Sequence, residues 1–127
     1  MLANMMDQPL LISSLIAHAA RYHGKTEIVS RTLDEGIHRY NWAEAEARSK
    51  RLAKALIALG VQPGQRVATM AWNTYRHLEA YYAIAGMGAV THTVNPRLFP
   101  EQIEYIVNHA ENQFIFCDTS FADLVAG

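Results

Sequence analysis

GQRVATMAWNTYRHLEAYYAIAGMGAVTHTVNPRLFPEQIEYIVNHAENQFIFCD, the stretch from Gly64 to Asp118, alternates three short apolar runs with two longer amphipathic ones. Arg66–Ala71 follows the Pro63-Gly64 turn and is mostly apolar between breakers, as expected of a strand covered on both faces. Ala89–Val94 and Gln113–Cys117 read the same way. Between the first two runs, Asn73 is placed to cap a helix over Thr74–Met87 that Gly88 stops. Between the last two, Pro96 and Pro100 bracket a loop. Pro100 then takes the first position of a helix in which Ile103, Ile106, Val107 and Ala110 keep the 3.6 period until near Asn112. Strands alternating with helices of this length pair in parallel through right-handed crossovers. The chain is therefore expected to be α/β, with residues 64–118 forming a βαβαβ unit.

Working outward, Trp42–Leu59 is the clearest helix. Asn41 stands at its N-cap and Gly60 at C′, and Trp42, Ala45, Ser49, Leu52, Leu56 and Leu59 recur at three and four. Glu44 and Glu46 lie early, with Arg48, Lys50, Arg51 and Lys54 after them, which predicts i,i+4 pairs on a solvated outer face. Before it, Glu27–Leu33 and Ile37–Tyr40 flank Asp34-Glu35-Gly36 and read as a β-hairpin within residues 24–41. Earlier still, Pro9 opens a helical pattern in which Leu11, Leu15 and Ala19, flanked by Ile12, Ile16 and Ala20, form a stripe that ends at Gly24. At the other end, Thr119 or Ser120 is placed to cap a last helical start carrying Phe121, Leu124 and Val125.

A chain of 127 residues is one domain by default, able to bury a core. Its 11 Lys and Arg balance 12 Asp and Glu and are dispersed among them, so no cationic stripe exists to track a nucleic-acid backbone. No apolar run approaches a membrane span, and Met1–Leu11 lacks the basic start of a secretory signal. Cys117 has no second cysteine to pair with and sits in the apolar run Phe114–Cys117, where a buried, inert thiol is expected. A cytoplasmic protein is the expectation.

Few residues offer chemistry. Gly86-Met87-Gly88 imitates the start of a dinucleotide fingerprint but follows a helix, with Thr91 where a third Gly belongs, and reads as a helix C-cap. Gly24-Lys25-Thr26 imitates the end of a phosphate loop, yet Ala19 stands where that motif needs Gly. His18, His23, His38, His77, His92 and His109 show no metal-ligand spacing, and no Ser lies in a nucleophile elbow. Trp72, Tyr75, Tyr81 and Tyr82 could line an apolar pocket, with core packing the expected role. His92 and Thr93 are polar in an apolar strand, so they either face a ligand or are satisfied inside.

Gly64-Gln65-Arg66-Val67-Ala68, Trp72-Asn73-Thr74, Gly88-Ala89-Val90 through Asn95-Pro96, and Pro100-Glu101-Gln102-Ile103 follow one another in an order and spacing that resemble the N-terminal part of AMP-forming acyl-CoA synthetases. These belong to the adenylate-forming superfamily, with luciferases and peptide-synthetase adenylation domains. Arg39-Tyr40-Asn41-Trp42-Ala43-Glu44 looks like that superfamily's first core motif and Gly88–Pro96 like its second, so the resemblance runs from about Leu10 onward. Thr91–Gln102 is most similar to medium- and long-chain fatty-acid ligases and related methylthiopropionate ligases. The chain departs from the pattern at Thr93, where Pro is common, at Gly86, where Lys is common, and at Phe99, which replaces a Thr cap.

The resemblance implies an N-terminal fragment: residues 1–127 would be an incomplete subdomain of an AMP-binding domain, part of the large N-terminal domain of such enzymes. The parent would be a fatty-acid–CoA ligase that turns a carboxylic acid and ATP into an acyl-adenylate with loss of pyrophosphate, and then lets the CoA thiol displace AMP. ATP, Mg²⁺ and CoA are its implied cofactors. The Ser/Thr/Gly loop, the Thr-Glu pair, the ribose-binding Asp and the catalytic Lys would all follow Gly127, so this fragment is expected to be inactive and to self-associate through an apolar surface. One site reaches this region by the resemblance: the turn Asn95, Pro96 and Arg97 would lie beside the CoA nucleotide, against a purely structural Asn-Pro turn. The competing class is a self-contained flavodoxin-like module binding a nucleotide or protein at its strand ends.

Overall fold

A computed structural model describes residues 6–126; Met1–Met5 and Gly127, which belong to the expected 1–127 subdomain, lie outside the described residues. Along the chain run α1 (Ile12–His23), β1 (Glu27–Arg31), β2 (Ile37–Asn41), α2 (Trp42–Ala58), β3 (Arg66–Met70), α3 (Tyr75–Gly86), β4 (Val90–Thr93), α4 (Pro100–His109) and β5 (Phe114–Cys117). A 3₁₀ turn (Thr119–Phe121) and α5 (Ala122–Ala126) follow. Strands β1 and β2 pair antiparallel as the expected hairpin, and Gly36 takes a φ of 78° in its turn, which any side chain would resist. The expected βαβαβ unit is present: β3, β4 and β5 form a parallel sheet in the order β4-β3-β5, with Val67 opposite both Thr91 and Phe114.

Strand β3 is the centre of this sheet, and Val67 through Met70 are all buried. Alternation along the strand sends Val67 to a core built with Leu56 of α2 and Ala80 and Ile84 of α3, with Phe116 packed against it. Ala68 and Met70 go to a second core with Val94 and Ile103, closed by Leu98, Val107, Ile115, Phe121 and Leu124. Helices therefore cover both faces, as a mostly apolar central strand requires.

Helix α2 starts where its caps say. The Asn41 side chain accepts the Glu44 N–H at 2.9 Å while the Glu44 carboxylate accepts the Asn41 N–H at 2.9 Å, so two orphan donors are satisfied together. Gly24 follows α1 in the right-handed helical region, and a Cβ there would collide with the Ala20 carbonyl oxygen, so glycine fits where a side chain would not.

The boundaries correct the sequence reading in four places. Helix α1 begins at Ile12 rather than Pro9: Leu11 is extended at the cap, and the Ser14 hydroxyl donates to its carbonyl at 2.6 Å. Its inward face is Ser13, Ile16, Ala19 and Ala20, which leaves Leu11 and Leu15 exposed. Thr74, not Asn73, is the N-cap of α3, and its side chain makes no capping bond. The first α3 donor is satisfied from outside the helix, since Tyr75 N–H donates to the buried Ser30 hydroxyl at 2.9 Å. Leu59, expected on the core stripe, is the α2 C-cap and is exposed, and the last helical turn is entered from Asp118 rather than from Thr119 or Ser120.

Asn41→Ala is expected to lower unfolding stability by about 1 kcal/mol, whereas Leu59→Ala is expected to change it by less than about 0.5 kcal/mol; urea unfolding followed by circular dichroism measures both.

Candidate functional site

Strand β4 ends in a turn whose backbone is fixed at each step. Val94 N–H donates to Thr69 O at 2.9 Å as the last rung of the sheet. Asn95 then leaves the sheet, and its side-chain oxygen accepts the Arg97 N–H at 3.0 Å, an Asx turn. Leu98 N–H donates to Asn95 O at 3.3 Å, and its side chain packs on the core beneath the sheet. Phe99 N–H donates to the Gln102 side chain at 3.2 Å, and Phe99 O accepts Gln102 and Ile103 N–H at 2.9 and 3.1 Å, which starts α4 with Pro100 in its first turn. Asn95, Pro96 and Arg97 thus form the Asn-Pro turn that the sequence allowed. Arg97 is exposed and makes none of the ion pairs found among the described residues. A lone guanidinium at the carboxyl end of a parallel strand is suited to a phosphate or carboxylate.

A groove of about 500 Å³ lies between β1 and the start of α3, lined by Ile28, Ser30, Arg31, Thr74, Tyr81 and Thr93, the last residue of β4, among others. Of the six suggestive residues, Tyr75, Tyr81 and Thr93 meet there. Neighbouring His92 turns to the other side of β4, its Nδ1 facing the Asn112 side-chain amide at 3.0–3.1 Å while Asn112 Nδ2 donates to Val107 O at 3.0 Å. His92 is satisfied internally and braces β4 against the α4–β5 connection. Tyr82 packs toward Ile16, Tyr40, Ala45 and Tyr75 instead. Trp72 is drawn toward the opposite edge of the sheet, past the end of β5, where its indole N–H donates to the Ser120 hydroxyl at 2.9 Å and its ring lies 4.9 Å from Phe121. Cys117 is half-buried, its Sγ donates to the Asp118 carbonyl at 3.2 Å, and burial pushes the thiol up, as an inert cysteine requires.

One polar cluster was not read from the sequence. Glu79 is buried at 6% exposure on the inner face of α3, and its carboxylate accepts from Arg48 Nε at 2.6 Å. Arg48 is therefore not on a solvated outer face with the other α2 charges, although Lys50 and Glu46 do form the expected i,i+4 pair at 2.7 Å. The hydrogen bond to Glu79 holds Arg48 further above its already high range. The signal available was a carboxylate four residues after Tyr75 and one before Ala80, inside the apolar stripe of α3. Around it, His38 stacks on the Tyr75 ring at 3.7 Å, and the guanidiniums of Arg48 and Arg76 lie 5.6 and 5.3 Å from that ring. Tyr75 donates its hydroxyl to Glu35, and Arg76 pairs with Asp34 and Glu35 of the hairpin turn, with Asp34 held below the usual carboxylate range by that bond. Every charge in this set is neutralised by a neighbour, so the cluster locks the hairpin and α2 to α3 rather than poising an acid or base. The Tyr40 hydroxyl is buried among these groups without a hydrogen-bond partner, and burial first, then the Glu79 charge, pushes it up to about 12.

Residues 15–126 match the family described as AMP-binding enzyme. A 3-methylmercaptopropionyl-CoA ligase of Ruegeria lacuscaerulensis is 59% identical over 126 residues, which are 99% of this chain and 23% of that protein. A medium-chain-fatty-acid–CoA ligase of Ectopseudomonas oleovorans is 50% identical over 126 residues, with the same two coverages of 99% and 23%. Among solved structures, the inhibitor-bound N-terminal domain of FACL13 from Mycobacterium tuberculosis superposes with a TM-score of 0.79 over 91% of this chain and 29% of that one, and at 22% identity this shows a shared fold. The chain spans less than a quarter of the length of these two curated relatives, 23% in each.

Tyr40→Phe is expected to keep or raise stability at neutral pH, by up to about 1 kcal/mol, because it removes a buried hydroxyl with no partner. The Tyr40 contribution is complete below the unfolded tyrosine value of about 10 and is lost as pH rises toward about 12, so the variant's unfolding free energy should fall less steeply over that window in denaturant titrations.

Proposed function

We propose, from the fact that this chain belongs to the AMP-binding enzyme family, that it is the N-terminal part of an acyl-CoA ligase acting on a fatty acid or a similar small carboxylic acid. The observation that carries this reading is the similarity to two CoA ligases at 59% and 50% identity across 99% of the chain. The names of those relatives make 3-methylmercaptopropionate and medium-chain fatty acids the acids to try first.

The whole ligase would join the acid to CoA at the expense of ATP. Within it, residues 64–118 are a scaffold: the sheet fixes where β4 ends, and the turn after β4 sets Arg97 outward. Arg97 would meet a phosphate of CoA as a charge partner and would take no part in bond making. Among the described residues no group of three or more His, Cys, Asp or Glu side chains is placed to hold a metal ion. ATP and Mg²⁺ would be bound by other parts of the ligase, and the piece alone would be inactive. The exposed apolar residues Leu10, Leu11, Leu15 and Phe99 support the reading that further chain packs on this piece and that the piece alone associates with itself.

The longer protein is expected to release AMP and pyrophosphate only when acid, ATP and CoA are all present, in an assay of 3-methylmercaptopropionate and fatty acids of graded length; no turnover with any acid overturns the reading. Residues 1–127 alone should give no heat on titration with ATP and Mg²⁺, CoA or an acyl-adenylate analogue, and should show species larger than a monomer by light scattering. Clear nucleotide binding by a monomer would favour the self-contained module.

A further inference from the structure

We propose that Asn95 is the positioning residue for Arg97, holding its backbone so that the guanidinium reaches a phosphate of CoA without the turn having to be ordered on binding. This rests on the CoA-side reading of the turn. Three constraints meet at Arg97. On one side Pro96 has a fixed φ and no N–H of its own. On the other, Leu98 is tethered by its side chain to the core and by its N–H to Asn95 O at 3.3 Å. Arg97 itself is left with one backbone donor beyond the last rung of the sheet, and the Asn95 side chain takes it at 3.0 Å. The direction in which the Arg97 side chain leaves the chain is thus set by a side chain two residues earlier, while its charged end stays free of any ion pair among the described residues.

The residue type matters. The bond needs a short side chain whose oxygen can turn back on the backbone two residues on; Asn and Asp do this well, Ser more weakly, and Ala not at all. Without the acceptor, the Arg97 N–H goes to water and residues 96–98 gain conformations that binding must remove. The cost falls on the step that uses CoA and leaves adenylate formation almost untouched, which separates positioning from a general loss of structure.

The test uses the full ligase, with CoA as the varied substrate and acid-dependent exchange of pyrophosphate into ATP as the second readout. Asn95→Ala is expected to raise the CoA KM about fivefold to tenfold, while exchange changes by less than about twofold. Asn95→Ser, which restores an acceptor, should recover part of that rise. If Arg97→Ala leaves the CoA KM unchanged, the CoA-side reading fails and this inference with it. If Arg97→Ala raises the KM and Asn95→Ala does not, the positioning role alone is overturned. A loss of exchange equal to the loss of CoA affinity in both Asn95 variants makes Asn95 a general structural residue and also overturns it.

Discussion

Strand β3 meets no water on either face, and the rest of the molecule answers to that constraint. With Val67 and Thr69 on one side and Ala68 and Met70 on the other, two separate apolar cores have to form, each needing helices of its own. Helices α2 and α3 close one core, and α4 with the last helical turns closes the other. The same strand fixes the turn after β4, because the last rung from Val94 N–H to Thr69 O decides where Asn95 leaves the sheet.

The join between the hairpin and the parallel sheet is polar and is made at the first turn of α3. Ser30 accepts the Tyr75 N–H that the helix's own cap leaves free, and Arg76 pairs with both carboxylates of the hairpin turn. Glu79 and Arg48 repeat the arrangement one turn later toward α2. A pair with one buried partner adds little net stability, yet losing Arg48 strands the buried Glu79 charge, so the pair fixes how α2 and α3 sit against each other. The docking of the hairpin on α3 also shapes the groove in which Tyr81 and Thr93 meet.

Features with short-range causes were legible in the sequence. The caps of α2, the glycine turn of the hairpin, Pro100 at the start of α4 and the three strands of the parallel sheet all follow from residues a few positions apart. The family was legible too, because its motifs keep fixed spacings along the chain. What escaped was set by partners far away in sequence. Glu79 lies 31 residues from Arg48, and Ser30 lies 45 residues from Tyr75, so no local pattern announces either pair. Leu15 shows the same limit for packing: α1 has an apolar stripe, but the face that turns inward is chosen by the small residues that let α2 and α3 approach. At the turn, the sequence offered Asn95, Pro96 and Arg97 together, whereas the bond that makes Asn95 serve Arg97 becomes visible only in three dimensions.

The strand order β4-β3-β5 puts the first-made strand of the parallel sheet in the middle. As the chain leaves the ribosome, β3 emerges with α2 already available to cover one of its faces, and α3 follows directly. Each later strand then joins an edge that already exists, β4 on one side and β5 on the other, and none has to be threaded between two partners. Growth outward from a seed suits a domain assembled while its remainder is still being translated. It also means that one face of β3, the one carrying Ala68 and Met70, waits uncovered until α4 and the last helical turns emerge.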